Sequence, residues 1–253
     1  MKYLFAFDLD GTLLHRNNTV SENTARALAA ARAAGHVLCV ATGRPPRDVR
    51  SLLPPLLADI AFVCYNGALI EERGERLFSR TIARADALAV LARAQNAGVG
   101  QMFFEIDDVL HANFDLSVVW PDAKTEPEDL AALSFAGAHK IIACGAPPNV
   151  ARLAEALPAG VTGTVTDGGT ICQIAAAGVS KAQGVRFVAE RCGIPLRNAV
   201  AFGDDANDIE MLSECGTGVA MGNAAPAVRA AADAVAASNE EDGVAAFLRR
   251  FLA

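Results

Sequence analysis

The sequence predicts an α/β protein: a parallel-sheet core contributed by both ends of the chain and interrupted by a smaller α+β domain. Three observations lead there. A strand-helix-strand rhythm runs through residues 1–82, the same rhythm returns from residue 179 onward, and the middle breaks it with a hairpin and a group of aromatic residues. At 253 residues and 52% hydrophobic content, the chain can also bury a large core in one or two domains.

The elements follow in order. Tyr3 to Asp8 is an apolar run expected as a buried strand. Ser21 opens the next helix, and Gly35 stands where a C′ residue closes it. Val37 to Ala41 and Ala61 to Tyr65 read as further strands; between them Pro45 and Pro46 follow Thr42-Gly43-Arg44, where proline suits a helix start. In residues 83–178, helices are expected near Ala85 to Asn96 and Asn149 to Leu157. Strands Val99 to Ile106 and Val109 to Asn113 face each other across Asp107-Asp108 as a hairpin, with further strands at Lys140 to Cys144, Val161 to Thr166 and Thr170 to Ala175. Phe103, Phe104, Trp120 and Phe135 gather there, and Trp120 and the Phe103/Phe104 pair read as core of the inserted domain rather than as a substrate platform. Beyond it, Ser180 to Cys192 reads as helix, Ala199 to Gly203 as strand and Asp205 to Cys215 as helix, with short closing elements at Val219 to Met221 and Ala234 to Val235. Residues 1–82 and 179–253 then make one discontinuous core, and no internal repeat argues otherwise.

Composition excludes several classes. A formal charge of -7 without a Lys/Arg cluster disfavours a nucleic-acid partner. Asp8 and Asp10 interrupt the N-terminal apolar stretch too early for a signal peptide, and no apolar run approaches the roughly 20 residues that span a bilayer. A soluble cytoplasmic protein without a membrane partner is expected, as a monomer or small homo-oligomer. Cys39, Cys64, Cys144, Cys172, Cys192 and Cys215 never fall into a C-x-x-C spacing and are expected as buried thiols in a reducing compartment. His15, His36, His111 and His139 lack metal-ligand spacing and are expected in surface or packing roles.

The chemistry concentrates in four segments. Asp8-Leu9-Asp10-Gly11 sets two carboxylates two residues apart at the end of the first strand, where open α/β sheets bind ligands; alone, it also reads as a turn. Ala41-Thr42-Gly43-Arg44 offers a hydroxyl and backbone amides at a helix start suited to an anion. Gly178-Val179-Ser180-Lys181 brings a lysine able to meet a phosphate, although a lone lysine early in a helix is ordinarily solvated. Gly203-Asp204-Asp205-Ala206-Asn207-Asp208 is a second acidic turn from strand into helix, which in isolation reads as an N-cap. Carboxylate oxygens are the ligands Mg²⁺ prefers, and the four segments in this order outweigh the bland reading of each.

In order and spacing these segments resemble the haloacid dehalogenase superfamily of phosphohydrolases, specifically the Cof-type branch, whose C2 (IIB-type) cap is inserted between the second and third motifs. The resemblance rests on Asp8-Leu9-Asp10-Gly11-Thr12-Leu13-Leu14 paired with Gly203-Asp204-x-x-Asn207-Asp208, and it covers both core halves. It implies a doubly wound, Rossmann-like parallel-sheet core and a Mg²⁺-dependent phosphatase of a small phosphorylated metabolite such as a sugar phosphate. By the same likeness Asp8 is the nucleophile that forms an aspartyl-phosphate, and the metal is held by Asp8, the backbone carbonyl of Asp10 and Asp204. Asp208 is an additional ligand or the partner of one. The Asp10 carboxyl, left free, protonates the leaving oxygen and later deprotonates the hydrolytic water. Thr42, the Gly43 amide, Lys181 and Asn207 hold the phosphoryl oxygens, and Asn66-Gly67-Ala68 looks like the family's segment near the phosphate. Thr12 is expected to orient Asp10, Arg44 to reach either the phosphate or the neighbouring fold, and Asp205 to lie at the surface or behind the ligands.

Two other readings stay open. A phosphomutase or phosphotransferase uses the same nucleophile. A receiver-like phosphoacceptor signalling module also combines acidic residues, Mg²⁺, a threonine and a lysine, but receivers lack a second carboxylate for discharge and an inserted domain. The inserted domain is expected to close over the substrate, exclude water and choose the leaving group. Its Ile174-Ala175-Ala176-Ala177-Gly178 segment lacks the acidic or proline residues relatives often carry, so no single relative's substrate carries over.

Overall fold

The computed structural model describes residues 1–118 and 125–252, whose contacts divide the chain into two units: Met1–Phe78 with the residues from Ser180 onward, and Ser79–Val179. Along the chain the first unit contributes β1 (Leu4–Phe7), α1 (Glu22–Ala33), β2 (Val37–Ala41), α2 (Pro46–Leu52), β3 (Ala61–Cys64), β4 (Leu69–Glu72) and β5 (Glu75–Ser79). The second follows with β6 (Ile82–Ala83), α3 (Arg84–Ala97), β7 (Gln101–Ile106), β8 (Val109–Ala112), β9 (Gly137–Ala138), β10 (Lys140–Cys144), α4 (Pro147–Glu155), β11 (Val161–Thr166) and β12 (Ile171–Ala176). The first unit then resumes with α5 (Lys181–Arg191), β13 (Ala199–Gly203), α6 (Ile209–Glu214), β14 (Thr217–Ala220), α7 (Pro226–Ala231), β15 (Ala234–Val235) and α8 (Gly243–Leu248).

The core sheet runs β15-β14-β13-β1-β2-β3-β4-β5, with β15 through β3 parallel. Parallel strands covered on both faces read as unbroken apolar runs, and Leu4-Phe5-Ala6-Phe7 is buried throughout. Alternation then assigns each side chain to a layer. Leu4 and Ala6 join Val185 and Val188 of α5 and Leu212 of α6, whereas Phe7 stacks on Phe202 of β13 at 5.1 Å and Phe202 meets Phe247 of α8 edge-on at 5.5 Å. Each buried phenylalanine stabilises the unit by about 1.5–3 kcal/mol. A Cβ on Gly184 would come within 2.2 Å of Val63, so only glycine lets α5 approach β3 this closely. That approach brings the first turn of α5, which begins with Lys181, onto the sheet.

The sheet differs from the expected all-parallel core at one edge. β4 runs antiparallel to β3, with Cys64 opposite Leu69, and β5 follows across Arg73-Gly74, both at positive φ. The helix expected over Asp205 to Cys215 is also divided, into a 3₁₀ turn at Ala206–Asp208 and α6. Asp205 caps the turn, and Asp208 accepts the Asp205 N–H in return at 3.1 Å, so the backbone is tied back on itself before the α-helix starts.

The second unit is an antiparallel sheet, β11-β12-β10-β7-β8, with β6 and β9 as a separate two-stranded ribbon. One face packs Phe104, Ile141 and Ile174 against Val90 of α3 and Val150 of α4; the other gathers Phe103, Ile142, Ala112 and Leu116. Asp107 and Asp108, at φ 49° and 65°, make the hairpin turn between β7 and β8. Trp120, expected in this core, lies outside the described residues. All six cysteines are free thiols, five of them buried and Cys192 half-buried. Among the described residues, no helix is long and apolar enough to cross a membrane.

Candidate active site

Because β1, β2, β3 and β13 are parallel, the turns that leave them open at the same sheet edge. The register pairs Phe7 with Phe202, and the Asp8 N–H donates to the Phe202 carbonyl at 3.0 Å, so Asp8 and Asp204 emerge side by side. Oxygens of Asp8, Asp204 and Asp208 all lie within 4.8 Å of one another. Lys181 enters from α5, whose N-cap Ser180 accepts the Gln183 N–H at 3.2 Å. Its ammonium donates to Asp8 Oδ1 at 2.6 Å and to Asp208 Oδ1 at 2.7 Å. Far from being solvated, this lysine is 2% exposed. The other oxygen of Asp208 accepts the Asp204 and Asp205 N–H groups at 3.0 and 3.1 Å, which fixes the whole acidic turn.

The turn after β1 curls back on itself. Thr12 N–H donates to the Leu9 carbonyl at 3.2 Å and Leu13 N–H to the Asp8 carbonyl at 3.3 Å. Gly11 sits at φ +77°, and a Cβ there would fall 2.2 Å from Asp204 Oδ2, so the glycine is required twice over. This curl corrects one expectation: Thr12 does not orient Asp10, because its hydroxyl points at the β13 turn and donates to Asp204 Oδ1 at 2.9 Å. Asp10 points outward, its side chain 51% exposed, and is held by Arg44 through Nε at 2.8 Å and Nη2 at 2.7 Å. A fork of this kind is among the stronger hydrogen-bonded ion pairs. Arg44 therefore has a defined partner at the site.

The remaining predicted residues meet across two loops. Thr42 is fully buried; its hydroxyl accepts the Arg44 N–H at 3.1 Å, and its carbonyl accepts the Asn66 N–H at 2.9 Å. Asn66 adopts a left-handed backbone, φ 56°, and its side-chain oxygen lies against Gly43 and accepts from Asn207 Nδ2 at 3.1 Å. Asn66 thus joins the β2, β3 and β13 turns. Sequence reasoning passed over Asn223, whose Nδ2 donates to the Gly11 carbonyl at 2.8 Å. The available signal was the Gly222-Asn223 turn just beyond the carboxyl end of a parallel strand.

Burial pushes the Asp8 carboxyl well above the usual range; Lys181 opposes this, while Asp208 and Asp204 reinforce it. Burial also works against the Lys181 charge, but Asp8 and Asp208 outweigh it and hold the ammonium protonated. Asp204 is pushed up to about 6, chiefly by burial and by Asp208, against the Thr12 hydrogen bond. One ammonium therefore faces three converging carboxylates, leaving the cluster short of positive charge. All the converging donors are oxygens, the set that suits a hard divalent cation, so the residues present fit a metal.

Known proteins resemble this chain in sequence and in fold. Residues 5–248 match the family model described as haloacid dehalogenase-like hydrolase. The 5-amino-6-(5-phospho-D-ribitylamino)uracil phosphatase YitU of Bacillus subtilis (strain 168) is 31% identical over 263 residues, covering 98% of this chain and 97% of its own. The HMP-PP phosphatase of Shigella boydii serotype 4 (strain Sb227) is 29% identical over 91% of this chain and 92% of its own. Among solved structures, the HAD subclass IIB sugar phosphatase BT4131 superposes with a TM-score of 0.83 at 26% identity, covering 98% of each chain.

Proposed function

The chain belongs to the haloacid dehalogenase-like hydrolases, and from that membership we propose that it is a Mg²⁺-dependent phosphatase of a small phosphorylated metabolite, with a sugar phosphate as the leading class. The observation that carries the reading is the convergence of Asp8, Asp204 and Asp208 around a buried Lys181. The named activities of the similar proteins, one on a phosphoribitylamino-uracil and one described as a sugar phosphatase, support the small-metabolite class.

Asp8 attacks phosphorus, its oxygen forming a new P–O bond as the ester P–O bond breaks, and the departing alkoxide takes the proton of the Asp10 carboxyl. Water then attacks the aspartyl-phosphate while Asp10 removes its proton, which regenerates Asp8 and releases phosphate. A carboxylate gripped by both Arg44 nitrogens can only accept, so Asp10 donates a proton only after at least one of those contacts opens. Mg²⁺, held by the side chains of Asp8, Asp204 and Asp208 and the backbone carbonyl of Asp10, would neutralise charge so that the carboxylate and the phosphate can meet. Lys181, Thr42, the Gly43 amide and Asn207 offer donors to the phosphoryl oxygens, and Asn66 fixes where Asn207 points. We assign the choice of leaving group to the Ser79–Val179 unit.

The test is phosphate release from p-nitrophenyl phosphate and a panel of phosphorylated metabolites with Mg²⁺, using Asp8→Asn as control. Sustained turnover that disappears in Asp8→Asn supports the reading. A stable phosphoprotein without turnover, or release that survives Asp8→Asn, sinks it.

A further inference from the structure

The turn that carries Asp10 is gripped from outside by two amides of the first unit. Asn223 Nδ2 donates to the Gly11 carbonyl at 2.8 Å, and Asn239 Nδ2 donates to the Leu14 carbonyl at 2.8 Å. The two asparagines are also joined, because the Asn239 backbone N–H donates to Asn223 Oδ1 at 3.0 Å. A backbone N–H can only donate, so the oxygen of Asn223 must face Asn239 and its NH₂ must face Gly11. That same NH₂ lies 3.5 Å from Asp204 Oδ2, the oxygen that leaves no room for a side chain on Gly11. The other Asp204 oxygen is held by Thr12, the residue that follows the gripped carbonyl.

We propose that Asn223 is a positioning residue for the Asp10 and Asp204 carboxylates, acting through the Gly11 carbonyl; this rests on the phosphatase reading above. Fixing that carbonyl fixes the Gly11–Thr12 peptide plane, and with it the Thr12 hydroxyl on one side and the backbone of Asp10 on the other. The Asp10 side chain is half exposed and, among the described residues, is held by Arg44, so its placement depends on the backbone that presents it. Misplacing a reacting group by about 1 Å costs on the order of 10²-fold in rate. An amide suits the position because it donates without adding charge to a cluster already rich in carboxylates. Aspartate would keep the shape and the acceptor for Asn239, but would turn an anionic oxygen toward both the Gly11 carbonyl and Asp204.

A simple turn anchor and a positioning residue differ in their dependence on the leaving group. An alkoxide must be protonated as it departs, whereas p-nitrophenolate leaves readily without help, so only a displaced Asp10 penalises the alkyl ester selectively. The experiment compares wild type, Asn223→Ala and the isosteric Asn223→Asp with p-nitrophenyl phosphate and with glycerol 3-phosphate. It reads kcat/KM, which reports the step in which the leaving group departs, together with native-state hydrogen exchange of the Thr12–Leu14 amides. The expected result is a loss of about 100-fold on the alkyl ester and about tenfold on the aryl ester. Exchange at Thr12–Leu14 should rise about tenfold while Phe5–Phe7 of β1 stays protected. Equal losses on the two esters, no loss, or unchanged exchange overturns the proposal. If wild type hydrolyses neither of these esters nor any member of the phosphorylated-metabolite panel, it is the phosphatase reading that falls, and the exchange result then decides on its own whether Asn223 fixes the turn.

Discussion

Replacing Lys181 with methionine keeps most of the volume of a side chain that is 1% exposed but deletes the ammonium shared by Asp8 and Asp208 at 2.6 and 2.7 Å. Removing one partner of a buried charge cluster destabilises by about 3–5 kcal/mol, because the charges left behind are uncompensated. In a chain of this length about 2–4 °C of melting temperature accompanies each kcal/mol, so the variant should melt roughly 6–20 °C below wild type at pH 7 without metal. The sign of the pH dependence follows from the shifts. The raised pKa of Lys181 means that its contribution is fully present below the ordinary value of 10.5, and therefore across pH 5–8. In the variant, the buried Asp8 can take up a proton as the pH falls, so the gap to wild type should narrow toward pH 5. Added Mg²⁺ should narrow it too, by supplying positive charge to the same carboxylates. Urea denaturation at pH 5 and pH 7, with and without Mg²⁺, reads all three effects. A variant within about 1 kcal/mol of wild type in metal-free buffer at pH 7 would refute the argument, since two buried carboxylates and the half-buried Asp204 would then tolerate one another unaided.

Other predictions follow from neighbouring contacts. Gly11→Ala places a Cβ 2.2 Å from Asp204 Oδ2 at a positive φ, so it should lose more than about 1 kcal/mol of stability and most of its Mg²⁺ affinity, read by denaturation and calorimetry. Asp204, pushed up to about 6 from 3.8, makes the metal-free fold less stable as pH rises through that interval, because the folded state binds the extra proton. Metal competes with that proton, so Mg²⁺ affinity should be weaker at pH 5 than at pH 7; equal calorimetric affinities would contradict the assignment. Half-buried Cys192 should react first with a thiol reagent in the native state, and the other five only on unfolding.

What could be read beforehand was the backbone of the core. The runs at Leu4–Phe7, Val37–Ala41 and Ala199–Gly203 are buried on both faces, so composition alone marks them as central strands. The β4–β5 hairpin was missed because Glu71, Glu72, Glu75 and Arg76 mask any apolar alternation, and it sits at the sheet edge where charge is tolerated. At the site, residue order indicated which loops matter but not where side chains point. Thr12 turns to Asp204, and Asp10, its expected target, is held by Arg44 instead, because the Gly11 turn reverses the chain between Asp10 and Thr12, a rotation no spacing encodes. Lys181 defied the usual solvation of an early helical lysine because Gly184 draws α5 onto the sheet. Asn223 escaped notice because its role lies in a hydrogen bond to a backbone carbonyl, which carries no sequence signature of its own.

The partnership of β1 with β13 has a consequence for how the molecule is made. Leu4 is synthesised long before its neighbour across the sheet, Ala199, so closure of a very long loop must precede that pairing. On the ribosome the nascent β1 must remain unpaired on that side, apolar and prone to wrong partners, until β13 has emerged. Biogenesis rather than chemistry is then the most hazardous moment for this protein, and premature termination before β13 leaves a fragment whose first strand lacks a native mate.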